Sequence, residues 1–240
     1  MSERAPSPPI DPPRASPRRR RLTFAVVAVV LPVVVLIAGG ALSLQAMGWI
    51  SFKQASGTMR PGLLLDERFF VDTGAYRTAQ RPDYGDIVVV AVPRRLVGFP
   101  GAGPDVTMVQ RIIGLPGDRI TVAEGKVSVN GRAWPQEPLR ELAGFHPGRS
   151  SGKAMIVREQ APNGVAYGIL HAGGPGGESG TYAVPPGHFF VLGDNRDDSL
   201  DSRTWSSAGW YLPAANIIGQ AAYVYWSGID RLDRIGTALK

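Results

Sequence analysis

The chain has 240 residues, a formal net charge of +6 and no cysteine, enough for one sizeable domain with accessory segments. Without cysteine it can form neither disulfides nor a thiolate metal site. Residues 1–21 hold six arginines against Glu3 and Asp11, a net of +4, which leaves only +2 for everything after them. A basic excess that is mostly tail excludes an extended nucleic-acid surface as the reading of the high pI.

The tail MSERAPSPPIDPPRASP is rich in Pro, Ser and Ala and poor in large apolar side chains, so residues 1–21 are expected to be disordered. Residues 22–42, LTFAVVAVVLPVVVLIAGGAL, contain no charge, and about 20 such residues cross a hydrocarbon core as a helix. Pro32 is tolerated more readily in such a helix than in water. Four arginines directly before the run predict a cytoplasmic N-terminus and an extracytoplasmic remainder at the cell membrane. RRRRLTF also faintly resembles a twin-arginine signal that would be cleaved. The apolar run exceeds the usual h-region of about 7–15 residues, which favours an uncleaved anchor over residues 22–44.

From residue 45 to 240 the segments read as β. DIVVVAV (86–92), TMVQRII (107–113), RITV (119–122), KVSVN (126–130), HFFVLG (188–193) and AAYVYW (221–226) are short and rich in Val, Ile and aromatics. RITVAEGKVSVNG is a hairpin candidate with Glu124-Gly125 at its turn. HAGGPGGESG (171–180) reads as a flexible loop, and residues 227–240 are too polar for a second membrane span. The three histidines, His146, His171 and His188, lack ligand spacing, so no metal or other cofactor is expected.

Four stretches carry more than secondary structure. QASGTMRPGLL (54–64) crowds small and hydroxyl residues just past the apolar run; it reads either as a loop or as a nucleophile held in an extended strand. YGDIVVVAVP (84–93) is a buried strand entered through Gly-Asp. QRIIGLPGDRI (110–120) couples a strand to a tight turn through Gly114, Pro116 and Gly117. GDNRDDSLDSR (193–203) packs four Asp, two Arg and two Ser behind an apolar strand, as a solvated acidic turn or a folded salt-bridge network.

Together and in this order, over about residues 50–226, these stretches resemble the type I signal peptidases, membrane-anchored Ser/Lys-dyad serine endopeptidases. GLPGD followed some eighty residues later by GDNRDxSxDSR carries the resemblance. It implies a mostly β ectodomain behind a single N-terminal transmembrane helix, with an apolar face resting on membrane lipid. It also implies removal of signal peptides from exported preproteins.

The resemblance places the nucleophile at Thr58, the oxyanion donor at Ser56 and the general base at Gln110. Ser199 would bond the base, while Arg111, Asp194, Asp201 and Arg203 would brace the site. Phe52, Gln54, Met59 and Val109 would line pockets for small side chains. Further departures are Gly62 for the usual Thr and Asp66-Glu67 for the usual Gly-Asp. Both dyad positions are substituted. Thr58 keeps a hydroxyl that an adjacent base can activate, with a methyl that restricts its rotamers. Gln110 has no proton to cycle near neutral pH, and a lost general base costs typically about 10²–10⁴-fold. Alternation along a strand would put Lys53 on the face opposite Thr58, so it offers no substitute. A pseudo-peptidase that binds without cutting is therefore expected; the alternative is an active peptidase using Thr58 with an unrecognised base.

Overall fold

A computed structural model describes residues 39–40, 42–43, 45–77, 81–99, 101–143, 153–171 and 178–239. The expected tail, most of the expected anchor, His146 and residues 172–177 of the expected loop lie outside them. Chain contacts divide the protein into residues 1–46 and residues 47–240. Within the first, Gly39, Gly40, Leu42, Ser43, Gln45 and Ala46 are helical, and Ser43 Oγ donates to the Gly39 carbonyl at 2.8 Å. Among the described residues no helix is long and apolar enough to cross a membrane.

The second unit is mostly β. Its largest sheet has seven strands among the described residues: β1 (Trp49–Lys53), β2 (Arg68–Asp72), β3 (Ile87–Val92), β4 (Val106–Gly114), β12 (His188–Leu192), β13 (Leu212–Pro213) and β14 (Ile217–Trp226). Their order across the sheet is β1-β2-β14-β3-β4-β12-β13. A second sheet joins β5 (Arg119–Ala123), β6 (Lys126–Val129), β7 (Arg132–Ala133) and β11 (Gly180–Ala183). A third holds β8 (Gln136–Ala143), β9 (Lys153–Gln160) and β10 (Ala166–His171). A six-residue helix, α1 (Ser202–Ser207), begins within the last residues of the acidic stretch, with the Asp201 side chain accepting from the Arg203 N–H as its N-cap.

β3 explains why IVVVAV shows no alternation. Ile87 and Val89 pack with Met59, Phe69, Val71 and Val224, while Val88, Val90 and Val92 pack with Ile112, Val191, Trp205 and Leu212. A strand covered on both faces needs apolar residues at every position. The expected hairpin forms between β5 and β6: Glu124 (φ 51°) and Gly125 (φ 72°) both take positive φ, as a two-residue turn of this hand requires.

Of the two readings of stretch 54–64, the structure takes the loop. β1 ends at Lys53, and the chain then runs through a series of turns, with Arg60 N–H bonded to the Gly57 carbonyl and Leu63 N–H to that of Met59. Thr58 therefore sits on a turn, as Ser-Gly and Arg-Pro favour, and not in an extended strand. Strand alternation therefore does not relate Lys53, the last residue of β1, to Thr58; the Lys53 ammonium pairs with Asp66 at 2.7 Å in the open.

Candidate active site

Two hydroxyls meet on the 54–64 turn: Ser56 Oγ and Thr58 Oγ1 are 2.9 Å apart. Gln54 is buried and its side-chain nitrogen donates to the Ser56 carbonyl at 3.0 Å, tightening the turn from within. Met59 is buried with Leu63, and the half-buried Phe52 and Val109 pack on the same cluster. Three of the four expected pocket residues thus share one apolar patch, and Gln54 serves the loop backbone.

The far wall comes from the residues after β12. The Asn195 N–H donates to the Thr58 carbonyl at 2.9 Å, and its side-chain nitrogen to the Gly57 carbonyl at 3.2 Å. β4 pairs with β12 at Arg111 and Leu192. Continuing that register by one residue places Gly193 across from Gln110, on the same face of the sheet. A Cβ on Gly193 would collide with the Ser199 hydroxyl and stand 2.6 Å from the Thr58 carbonyl oxygen. Glycine here lets Ser199, the Thr58 backbone and β4 approach one another, a requirement that the spacing of charged residues did not signal.

Gln110 is fully buried, and its side-chain nitrogen donates to the Leu200 carbonyl at 3.0 Å. Its Oε1 and the neighbouring Ser199 Oγ are buried without a hydrogen-bond partner among the described residues. A buried polar atom without a partner costs stability, and each calls for an explanation. No hydrogen bond joins Thr58 to Gln110 among the described residues.

The acidic stretch folds as a network, and the solvated-turn alternative falls away. Arg111 grips Asp194 with Nε at 2.6 Å and Nη2 at 2.7 Å, donates to the Gly85 carbonyl, and lies 3.8 Å over the Tyr167 ring. Arg203 holds Asp201 through Nε at 2.8 Å and Nη2 at 2.7 Å, and reaches the Arg196 carbonyl. The expected four-residue cluster is thus two bidentate pairs, joined by the Gly193 N–H donating to Asp201 at 3.2 Å. A third buried pair, Arg196 with Glu159, was not legible in the sequence, because Glu159 lies in the featureless REQ of β9. Burial alone would raise the Glu159 carboxyl; the Arg196 guanidinium outweighs it and holds it below its ordinary value. Gln136 and Tyr167 complete its shell.

Gly62 is explained by the same network. A Cβ there would collide with the Asp194 carboxylate, so as these residues are placed a threonine would not fit.

Residues 24–226 match the family model described as signal peptidase, peptidase S26. The chain belongs to this family. It is 32% identical over 158 residues to signal peptidase I of Rickettsia typhi, covering 62% of this chain and 54% of that protein. With signal peptidase I of Rickettsia bellii (strain OSU 85-389) it shares 26% over 221 residues, covering 80% of this chain and 71% of that one. With signal peptidase I of Leptolyngbya laminosa it shares 30% over 181 residues, covering 75% and 70%. The match spans about half the length of the Rickettsia typhi relative. The solved structure of a signal peptidase I from Enterococcus faecalis V583 aligns with a TM-score of 0.36 and 23% identity, covering 60% of this chain and 98% of that one.

In this signal-peptidase-family chain the residues past the match also reach the candidate site. Arg234 grips the buried Glu67 with Nε at 2.7 Å and Nη2 at 2.9 Å, and Nη2 donates to the Gly62 carbonyl at 2.9 Å. Ser227 donates to Glu67 at 2.6 Å, and Leu239 is buried with Met59 and Leu63. Glu67, noted in the sequence as a departure, is thus the carboxylate that Arg234 holds.

Proposed function

We propose that this chain is a membrane-anchored protein of the signal peptidase I family that binds signal peptides of exported preproteins, with cleavage impaired or absent. The observation that carries the reading is Gln110: fully buried, its amide nitrogen committed to the Leu200 carbonyl, and without a titratable proton. Residues 22–44 would span the membrane, residues 1–21 would lie in the cytoplasm and residues 45–240 outside it, as the arginines before the uncharged run favour.

In this reading Thr58 stands at the nucleophile position, Ser56 beside it as oxyanion donor and Gln110 at the base position. Ser199 would support Gln110, and Arg111, Asp194, Asp201 and Arg203 would hold the framework. Phe52 and Val109, half-buried over the buried Met59, offer an apolar surface for small side chains. The 2.9 Å contact of Ser56 with Thr58 supports a second reading, residual cleavage through Thr58, but a serine hydroxyl can only relay a proton and cannot keep it.

A cleavage assay on a preprotein with an A-x-A site at neutral pH tests this. The expected result is binding with little or no product. Robust turnover abolished by Thr58→Ala would overturn it in favour of the active enzyme.

A further inference from the structure

Beside the Thr58 turn lies a groove of about 300 Å³ with an apolar floor of Pro61, Leu64, Leu142, Ile156 and Leu170. Its polar lining is three arginines, Arg60, Arg140 and Arg231, with no carboxylate among the lining residues. Arg140 is exposed and takes part in no ion pair among the described residues. Arg231 Nε is buried without a hydrogen-bond partner, its nearest carboxylate oxygen, on Asp230, being 3.8 Å away. Among the described residues Arg231 keeps one long ion pair, with the exposed Asp230, and its guanidinium has donors left for a further anion.

The groove is continuous with the candidate active site. Leu170 in its floor forms a bridge with Asn195, which holds the Thr58 carbonyl. On the other side the Arg60 side chain lies back over Gly57, with Nε 3.6 Å from where a Cβ would stand. An extended peptide advances about 3.3 Å per residue, so a chain crossing Thr58 reaches this groove within a few residues.

We propose that this groove is a subsite for an acidic segment of the bound polypeptide: a carboxylate between Arg140 and Arg231, next to an apolar side chain on Leu142, Ile156 and Leu170. The inference rests on the peptide-binding reading above and names a preference within it. Guanidinium groups suit carboxylates because they donate two parallel hydrogen bonds, and the apolar floor raises the contribution of each by excluding water.

The test uses the full chain in detergent and two fluorescent peptides, each an A-x-A segment followed by residues that include either Asp-Leu or Asn-Leu. The Asp peptide should bind about five- to tenfold more tightly. The difference should vanish in the double variant Arg140→Gln, Arg231→Gln and persist in part with lysine at both positions. Equal thermal unfolding midpoints establish that the variants fold. Equal affinity for the two peptides would overturn the inference and leave the proposed function standing. Binding of neither peptide would overturn both. Binding of phosphatidylglycerol vesicles that the double glutamine variant loses, without any preference between the peptides, would assign the groove to lipid and overturn the inference.

Discussion

The Gln110 side-chain nitrogen donates to the Leu200 carbonyl at 3.0 Å, so the residue at the proposed base position is engaged with the loop that carries Ser199. A base that titrates gives a pH–rate profile with an inflection at its pKa, and an amide gives none. Any residual cleavage should therefore rise across neutral pH only as hydroxide itself does, without a plateau. A plateau above a titration near neutrality, measured as kcat/KM, would reveal a base other than Gln110.

Gly193 should tolerate no side chain. Alanine there would force the Ser199 hydroxyl and the Thr58 carbonyl apart. Overpacking of this kind costs typically about 1–3 kcal/mol, read as a lower urea midpoint with little change in slope. Thr58→Ala, by contrast, removes only the contact with the Ser56 hydroxyl and should leave the midpoint nearly unchanged. Equal midpoints for Gly193→Ala and the parent would show that the wall can give.

Glu67 should make the protein acid-sensitive. Burial alone would raise its carboxyl, but Arg234, the Leu64 N–H and Ser227 together outweigh that and hold it below its ordinary value of 4.5. A folded-state pKa below the unfolded one contributes stability that is present above about pH 4.5 and lost as the pH falls through the folded value. Glu67→Gln should flatten the stability curve in that acid window without abolishing the slope, since Glu159 is depressed as well. Arg234→Leu should cost about 1–3 kcal/mol at neutral pH, because it strands a buried carboxylate beside a partner that is itself partly exposed. An acid limb identical in Glu67→Gln and the parent would show that Glu67 does not titrate on unfolding.

The strands that the sequence revealed were those whose composition had one cause. β3, β12 and the second half of β4 are apolar because they are covered, β14 is apolar although Tyr223 and Trp226 stand exposed, and the β5–β6 turn is legible because only certain residues take positive φ there. β8 and β9, QEPLRELA and KAMIVREQ, look helical or featureless because their charged residues serve partners far away, as Glu159 serves Arg196. The Arg and Asp of 193–203 announced ion pairs, but not which would pair: Asp194 meets Arg111 across β4 and β12, Arg196 reaches Glu159 on β9, and only Arg203 pairs within the stretch, with Asp201. Gly193, Asn195 and Arg234 were missed for a common reason: each acts on another residue's backbone or on the space beside it.

The proposed topology has its own test. Protease added to right-side-out vesicles should reach residues 45–240 and leave an epitope in residues 1–21 intact. Protection of the β domain would reverse the orientation.

The site should respond to restoration of the dyad in a strongly non-additive way. Gln110→Lys returns a titratable amine to a fully buried position, where burial lowers its pKa toward neutrality. The Leu200 carbonyl opposes this, since an ammonium would donate to it as the Gln110 nitrogen does, and a hydrogen bond to the charged form raises the pKa. Ser199 Oγ, now without a partner, offers a second contact that orients the amine. Thr58→Ser removes the methyl that limits the hydroxyl's approach. Thr58→Ser alone should give almost no cleavage because no base is present. Gln110→Lys alone should give a little, through Thr58. The double variant should exceed the product of the two single gains, since nucleophile and base act as a unit. Its activity should rise with pH through the lysine's pKa, which the parent cannot do. A misplacement of the amine by about 1 Å would forfeit about a hundredfold, so a modest rate remains consistent with a restored dyad. The measurement is a time course on one preprotein with all four proteins. A double variant that folds like the parent and is equally inactive would show that the site has diverged beyond the dyad into a binding surface.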